Sequence, residues 1–161
     1  MSLLGCQLNI VLVEPEIPPN TGNVARLCAA TNSKLHLIEP LGFELTDKHL
    51  KRAGMDYWQH VEWRKWSSWL DFRQNIEKKN RLWLVESIGK VRYSDAKFAK
   101  GDYLVFGRET LGLPESLCVE AGDRCLRIPM LNADARSLNL SNCVSIVLYE
   151  ALSQLGFDGE V

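Results

Sequence analysis

Short apolar runs alternate along this chain with longer segments in which apolar residues recur every three or four positions. Residues 8–13 are apolar throughout except for Asn9, the pattern of a strand buried on both faces. Residues 35–38, 81–86, 103–107 and 125–128 predict further strands, and Val61-Glu62-Trp63 a weaker one. The segment 14–20 carries three prolines and is excluded from any helix interior. Thr21 then predicts an N-cap for a helix with Val24, Leu27, Cys28 and Thr31 on one face. Thr46 predicts a short helix ending near Gly54, and Ser68 one reaching about Lys79. Pro114 suits the first helical position before residues 115–121. The last helix is predicted over about 139–155, with Leu140, Val144, Val147, Leu148, Ala151 and Leu155 inward and Gly156 as its stop. Such alternation argues for an α/β fold, a parallel sheet covered on both faces.

The chain has 161 residues, enough for one domain with a real core, and no composition break or repeat divides it. It is 46% hydrophobic and 24% charged, the balance of a globular protein. No apolar run approaches the ~20 residues that cross a bilayer, and no cationic stretch leads an apolar one, so a cytoplasmic protein with no membrane partner is expected. Met1-Ser2-Leu3 is given no structural weight. The five cysteines lack any C-x-x-C pair and the three histidines are isolated, which predicts reduced thiols and no metal site. Formal charge is −1, so any contact with nucleic acid must rest on a local patch or on assembly.

Familiar cradles are missing. Gly107 and Gly112 have P-loop spacing, but Leu113-Pro114 stands where lysine and a hydroxyl residue would hold phosphates and magnesium. No G-x-G-x-x-G follows the first strand, and no G-x-S-x-G elbow exists. Three other segments carry more polar residues than their elements require. The first runs from Pro15 through Asn20-Thr21-Gly22-Asn23 to Arg26. The second is Phe106-Gly107-Arg108-Glu109-Thr110-Leu111-Gly112-Leu113-Pro114, at the carboxyl end of a strand, where open α/β sheets bind ligands. The third follows Ile128-Pro129-Met130 and reads Ala135-Arg136-Ser137-Leu138-Asn139-Leu140-Ser141-Asn142, a polar turn opening into a helix whose first N–H groups are free to bind. Ser137 or Asn139 is its expected cap.

In that order and spacing, N-T-G-N-x-x-R, F-G-x-E-x-x-G-x-P and R-S-L-N-L-S-N resemble the motifs of the SPOUT class of RNA methyltransferases, in its SpoU branch. The chain is similar, over nearly its whole length, to the small single-domain members that methylate the ribose of the tRNA wobble nucleotide. The resemblance implies a C-terminal trefoil knot, which general rules of chain threading disfavour. It implies S-adenosylmethionine bound against Leu84, Val85, Gly107, Glu109, Ile128, Met130, Ser137 and Leu138, with no metal. It implies a homodimer acting on the tRNA anticodon loop, with Arg26 catalytic and Asn20, Asn23, Arg26 and Tyr149 toward substrate. Ribosomal RNA as substrate, or a non-catalytic RNA-binding module, remain the alternatives.

Arginine stays protonated in proteins, so Arg26 is read as a cation that clamps phosphate and acidifies the 2′-hydroxyl rather than as a plain base. Glu109 is read as holding backbone N–H groups of the cofactor loop or as positioning substrate. Three departures from the family pattern stand out: Asn32 where glycine is usual, Arg108 where proline is common, and a loop after Met130 one residue longer. Trp63, Trp66 and Trp69, spaced by three, predict a packed helix face or dimer contact sooner than a base-stacking platform. Lys48, Lys51, Arg52, Arg64 and Lys65 read as a solvated face that an RNA could use.

Overall fold

Among the described residues, seven strands form one sheet, all of whose pairs are parallel. The computed structural model describes residues 8–46, 48, 55–78 and 81–161. In chain order the elements are β1 (Asn9–Val13), α1 (Pro18–Thr31), β2 (Lys34–Ile38), β3 (Trp63–Trp66), α2 (Trp69–Asn75), β4 (Leu82–Val85), β5 (Val91–Arg92), β6 (Tyr103–Phe106), α3 (Glu115–Ala121), β7 (Cys125–Arg127) and α4 (Leu140–Gln154). Their order across the sheet is β3-β2-β1-β6-β4-β7-β5.

Successive strand residues point to opposite faces, and the core divides accordingly. Ile10 and Leu12 face α1 and α4 with Val24, Cys28, Val144, Val147 and Leu148. Val11 and Val13 face α2 and α3 with Phe72 and Cys118. The central strands β1, β4 and β6 are therefore buried on both sides, which is why they read as unbroken apolar runs.

Several elements differ from their sequence-based expectation. Helix α1 starts at Pro18, three residues before Thr21, and Ile17 is its N-cap. Pro18 and Pro19 fit because first-turn N–H groups have no helical partner to lose. Thr21 lies inside the helix, fully buried. The weak strand shifts from 61–63 to Trp63–Trp66, pairing with β2 at the sheet edge. Trp63 and Trp66 thus lie on a strand and Trp69 on a helix, so the shared helix face does not exist. Trp66 is buried against His36 and Phe72, whereas Trp63 meets Trp58 edge-on at 4.9 Å. Ser68 does cap α2, accepting the Asp71 N–H at 3.0 Å, but that helix stops at Asn75. Most of the expected helix from Thr46 to Gly54, with Lys51 and Arg52, lies outside the described residues.

Two helix ends match their residues closely. Asn32 takes a left-handed conformation (φ 51°) at the end of α1, and the Ser33 N–H reaches the Cys28 carbonyl at 3.0 Å. Gly156 (φ 80°) stops α4 with paired bonds from Gly156 N–H to Ser153 and from Phe157 N–H to Leu152, a Schellman arrangement. At the amino ends of β4 and β6, buried Asp102 accepts from Arg81, Trp83 and the Ala99 N–H at 2.8–3.0 Å. These bonds anchor one end of the sheet and leave the other to the loops.

Candidate active site

The carboxyl ends of β4, β6 and β7 and the start of α4 enclose a cavity of about 560 Å³. Its first wall is the loop after β6. Gly107 lies so close to the loop's return that a Cβ there would sit 2.2 Å from the Gly112 carbonyl carbon and 2.3 Å from the Leu113 nitrogen. Gly112 (φ 65°) turns the chain back, and its N–H donates to the Arg108 carbonyl at 2.9 Å. The two glycines therefore pack against each other rather than around a phosphate.

The second wall is Val85-Glu86-Ser87 at the end of β4. Glu86 Oε2 accepts the Leu113 N–H at 2.8 Å, and Oε1 accepts the Ser87 N–H at 3.1 Å. The third wall comes after β7: Ile128 and Met130, then Arg136, Ser137, Leu138 and Asn139. Asn139 is the cap of α4, its Oδ1 accepting the Ser141 N–H at 2.9 Å.

A relay of side chains ties the three motif segments together. Asn139 Nδ2 donates to Asn20 Oδ1 at 3.0 Å, and Asn20 Nδ2 donates to Glu109 Oε1 at 3.4 Å. Glu109 in turn accepts the N–H groups of Glu16 (2.8 Å) and Ile17 (3.2 Å). A carboxylate at a helix start offsets the positive end of its dipole, so Glu109 does for α1 what no local side chain does. Around it, Thr110 donates to Glu16 at 2.7 Å and Arg108 to Glu14 at 2.7 Å. Glu109 was expected to hold N–H groups of the cofactor loop or to position substrate; the N–H groups it accepts here are those of Glu16 and Ile17, in the first segment.

The cavity brings together Asn20, Val85, Gly107, Glu109, Ile128, Met130, Ser137 and Leu138. Leu84 is not among its lining; as the neighbour of Val85 in an extended strand it points to the opposite face, buried with Val11 and Val105. Asn23 and Arg26 are exposed further along α1, and the Arg26 guanidinium lies 5.1 Å from the centre of the Tyr57 ring. Tyr149 is exposed on α4 beside Phe157 at 6.3 Å. None of these three lines the cavity.

Glu86, Ser87 and Cys143 line the site without having been singled out in the sequence. The signal for Glu86 was present: a carboxylate closing a buried parallel strand stands where such sheets bind ligands. Burial, and then the Glu86 charge, push the Cys143 thiol above its ordinary pKa. Cys118 is pushed up to about 12, chiefly by burial, and Cys125 upward for the same reason, so all three are thiols at neutral pH.

Comparison with known proteins agrees with the geometry. The model of the SpoU rRNA Methylase family matches residues 7–149. The tRNA (cytidine(34)-2′-O)-methyltransferase of Saccharophagus degradans is 53% identical over 154 residues, covering 94% of this chain and 97% of that one. A solved structure described as giving insights into the 2-OH methylation of C/U34 on tRNA superposes with a TM-score of 0.89 at 44% identity, covering 96% of this chain and 94% of that one. More distantly, the SpoU methyltransferase AviRb from Streptomyces viridochromogenes, in complex with AdoMet, shares the fold (TM-score 0.80, 22% identity, 97% of this chain and 63% of that one). With three motifs joined by hydrogen bonds around one cavity, and a family model spanning most of its length, the chain belongs to the SpoU methylase family.

Proposed function

We propose that this protein is an S-adenosylmethionine-dependent methyltransferase that modifies the ribose 2′-hydroxyl of the wobble nucleotide, residue 34, of tRNA. The observation that carries the reading is the Asn139–Asn20–Glu109 relay, which builds one cavity from segments 119 and 89 residues apart. The names borne by the relatives supply the substrate.

The cavity suits the donor. Its volume is that of a nucleoside-sized site. Val85, Ile128, Leu138 and Leu140 offer apolar surface for an adenine, beside loops rich in main-chain groups. S-adenosylmethionine supplies an electrophilic methyl group on a sulfonium. The protein has to position the reactants and manage one proton. Arg26, always charged, is proposed to hold a phosphate next to the target ribose and to lower the pKa of its hydroxyl through space.

Arg26 and the cavity are separate on one chain, which supports the proposal that two copies together complete each site. Exposed Tyr149 and Phe157, and the Ile17, Leu111 and Leu131 side chains, give such an assembly apolar surface to cover. The proposal includes the trefoil knot of the class, tied among the segments that converge on the cavity. It includes a place in the cytoplasm, where tRNA is found; among the described residues no helix is long and apolar enough to cross a membrane.

Mass spectrometry of tRNA from a deletion strain tests the substrate: a 2′-O-methyl group should vanish at the first anticodon position and return with the purified protein and donor. The family model's description names rRNA, which favours ribosomal RNA as the second reading. Loss of a methyl from ribosomal RNA alone would decide for it. For Arg26→Ala, turnover should fall at least ~100-fold with donor binding intact. Near-normal turnover would remove the residue from the mechanism.

A further inference from the structure

We infer that Glu86 makes the cavity selective for a positively charged ligand, so that the sulfonium donor is held more tightly than the neutral thioether left after transfer. The inference rests on the methyl-donor reading of the cavity. Two carboxylates line it, and their surroundings differ. Glu109 is held by three donors at the start of α1, whose dipole offsets its charge. Among the described residues Glu86 takes only the Leu113 and Ser87 N–H groups and the Ser87 hydroxyl (3.4 Å). A carboxylate has about four acceptor positions over its two oxygens, so it keeps capacity to spare.

No Lys, Arg or His among the described residues forms an ion pair with Glu86. Of the two arginines in the lining, Arg108 is engaged by Glu14 at 2.7 Å, and Arg136 forms no ion pair with Glu86. The negative charge also acts across the cavity, since Cys143 on α4 is shifted upward by it in addition to burial. The carboxylate packs directly on Gly112, where a Cβ would lie 2.3 Å from Glu86 Oε2, and the Leu113 N–H holds that oxygen at 2.8 Å.

This placement fits the charge change of the reaction. The S–CH₃ bond breaks with its electron pair staying on sulfur, an O–CH₃ bond forms, and the hydroxyl proton passes to solvent water. The ligand thereby loses one positive charge. A fixed anion in a partly desolvated cavity distinguishes the two states, and its attraction for the sulfonium disappears when the methyl group departs.

Calorimetry tests this with three probes: S-adenosylmethionine, sinefungin (whose amine carries a positive charge near the sulfonium position) and the thioether S-adenosylhomocysteine. Wild-type protein should bind the two cationic probes about tenfold more tightly than the thioether, as a unit charge at short range allows. In Glu86→Gln, which still offers an acceptor to the Leu113 N–H, that preference should shrink to about threefold or less, with thioether affinity changed by less than about twofold. Glu86→Asp should keep the preference even if all affinities drop. An equal loss for all three probes in Glu86→Gln would mean that Glu86 only braces the loop, and an unchanged preference would mean that its charge is irrelevant; either overturns the inference. Wild-type protein that binds the probes without a cationic preference overturns it too, while failure to bind any of them overturns the methyl-donor reading itself.

Discussion

His36 shows how a single side chain reads the pH. The Trp66 indole N–H can only donate, and it donates to His36 Nδ1 at 3.0 Å. The ring proton is therefore on Nε2, which donates to Asn9 Oδ1 at 3.0 Å, while Asn9 Nδ2 reaches the Gly101 carbonyl at 3.3 Å. Burial first, and then the positive charges of Lys34 and Arg64, lower the His36 pKa from 6.5 to about 3. Below pH 6.5 the unfolded chain takes up a proton here that the folded chain refuses. The stabilisation is thus complete above pH 6.5 and is lost as pH falls toward 3. At pH 4.5 the loss should be roughly 2–3 kcal/mol, seen as a lower urea midpoint. NMR of the ring should show neutral imidazole at pH 5; a folded-state titration near 6.5 would sink the account. Gly107 makes a different residue-scale prediction. Its Cβ space is filled by backbone at 2.2 Å, so Gly107→Ala must displace the 107–113 loop and should cost several kcal/mol or abolish ligand binding.

Asn139 serves two elements at once, capping α4 with its oxygen and reaching α1 through Asn20 with its nitrogen. Asn139→Ala should cost about 1 kcal/mol for the cap alone, measured by urea denaturation. Asn139→Asp separates the roles, because a carboxylate still accepts the Ser141 N–H but cannot donate to Asn20 Oδ1. It should keep most of the stability and weaken donor binding; full retention of both would show the relay to be dispensable. The cap was legible in the sequence because it depends on residues two apart. The start of α1 was not, because its capping group is Glu109, supplied from 92 residues away. Strand β5 has two residues, too few for any periodicity, and exists because β7 offers it an edge. The helix face expected of Trp63, Trp66 and Trp69 is absent: a spacing of three suits a helix, but nothing local marks where a strand ends and the next helix begins. The long apolar strands and the two core-facing helices were legible because burial on both sheet faces leaves a continuous local pattern.

Across the whole molecule the two ends of the sheet do different work. At the amino ends of the strands, Asp102 with its four bonds and the His36 relay fix the frame. At the carboxyl ends the loops form the cavity, and their backbone conformations depend on one another through Gly107, Gly112, Glu86 and Glu109. The family motifs make those loops recognisable, yet no local pattern reveals that Glu86 faces the same space as Cys143. A site assembled from distant segments is stabilised as a unit by whatever fills it. Ligand that binds only the folded state adds about 2.7 kcal/mol at a hundredfold excess over Kd. For a chain of this size each kcal/mol moves Tm by about 2–4 °C, so saturating S-adenosylhomocysteine should raise Tm by roughly 5–10 °C and continue to raise it with the logarithm of concentration. Gly107→Ala should lose this response. Arg26→Ala should retain it in full, because Arg26 lies outside the cavity; if Arg26→Ala loses it as well, the ligand site extends to Arg26 and the role proposed for that residue apart from donor binding fails.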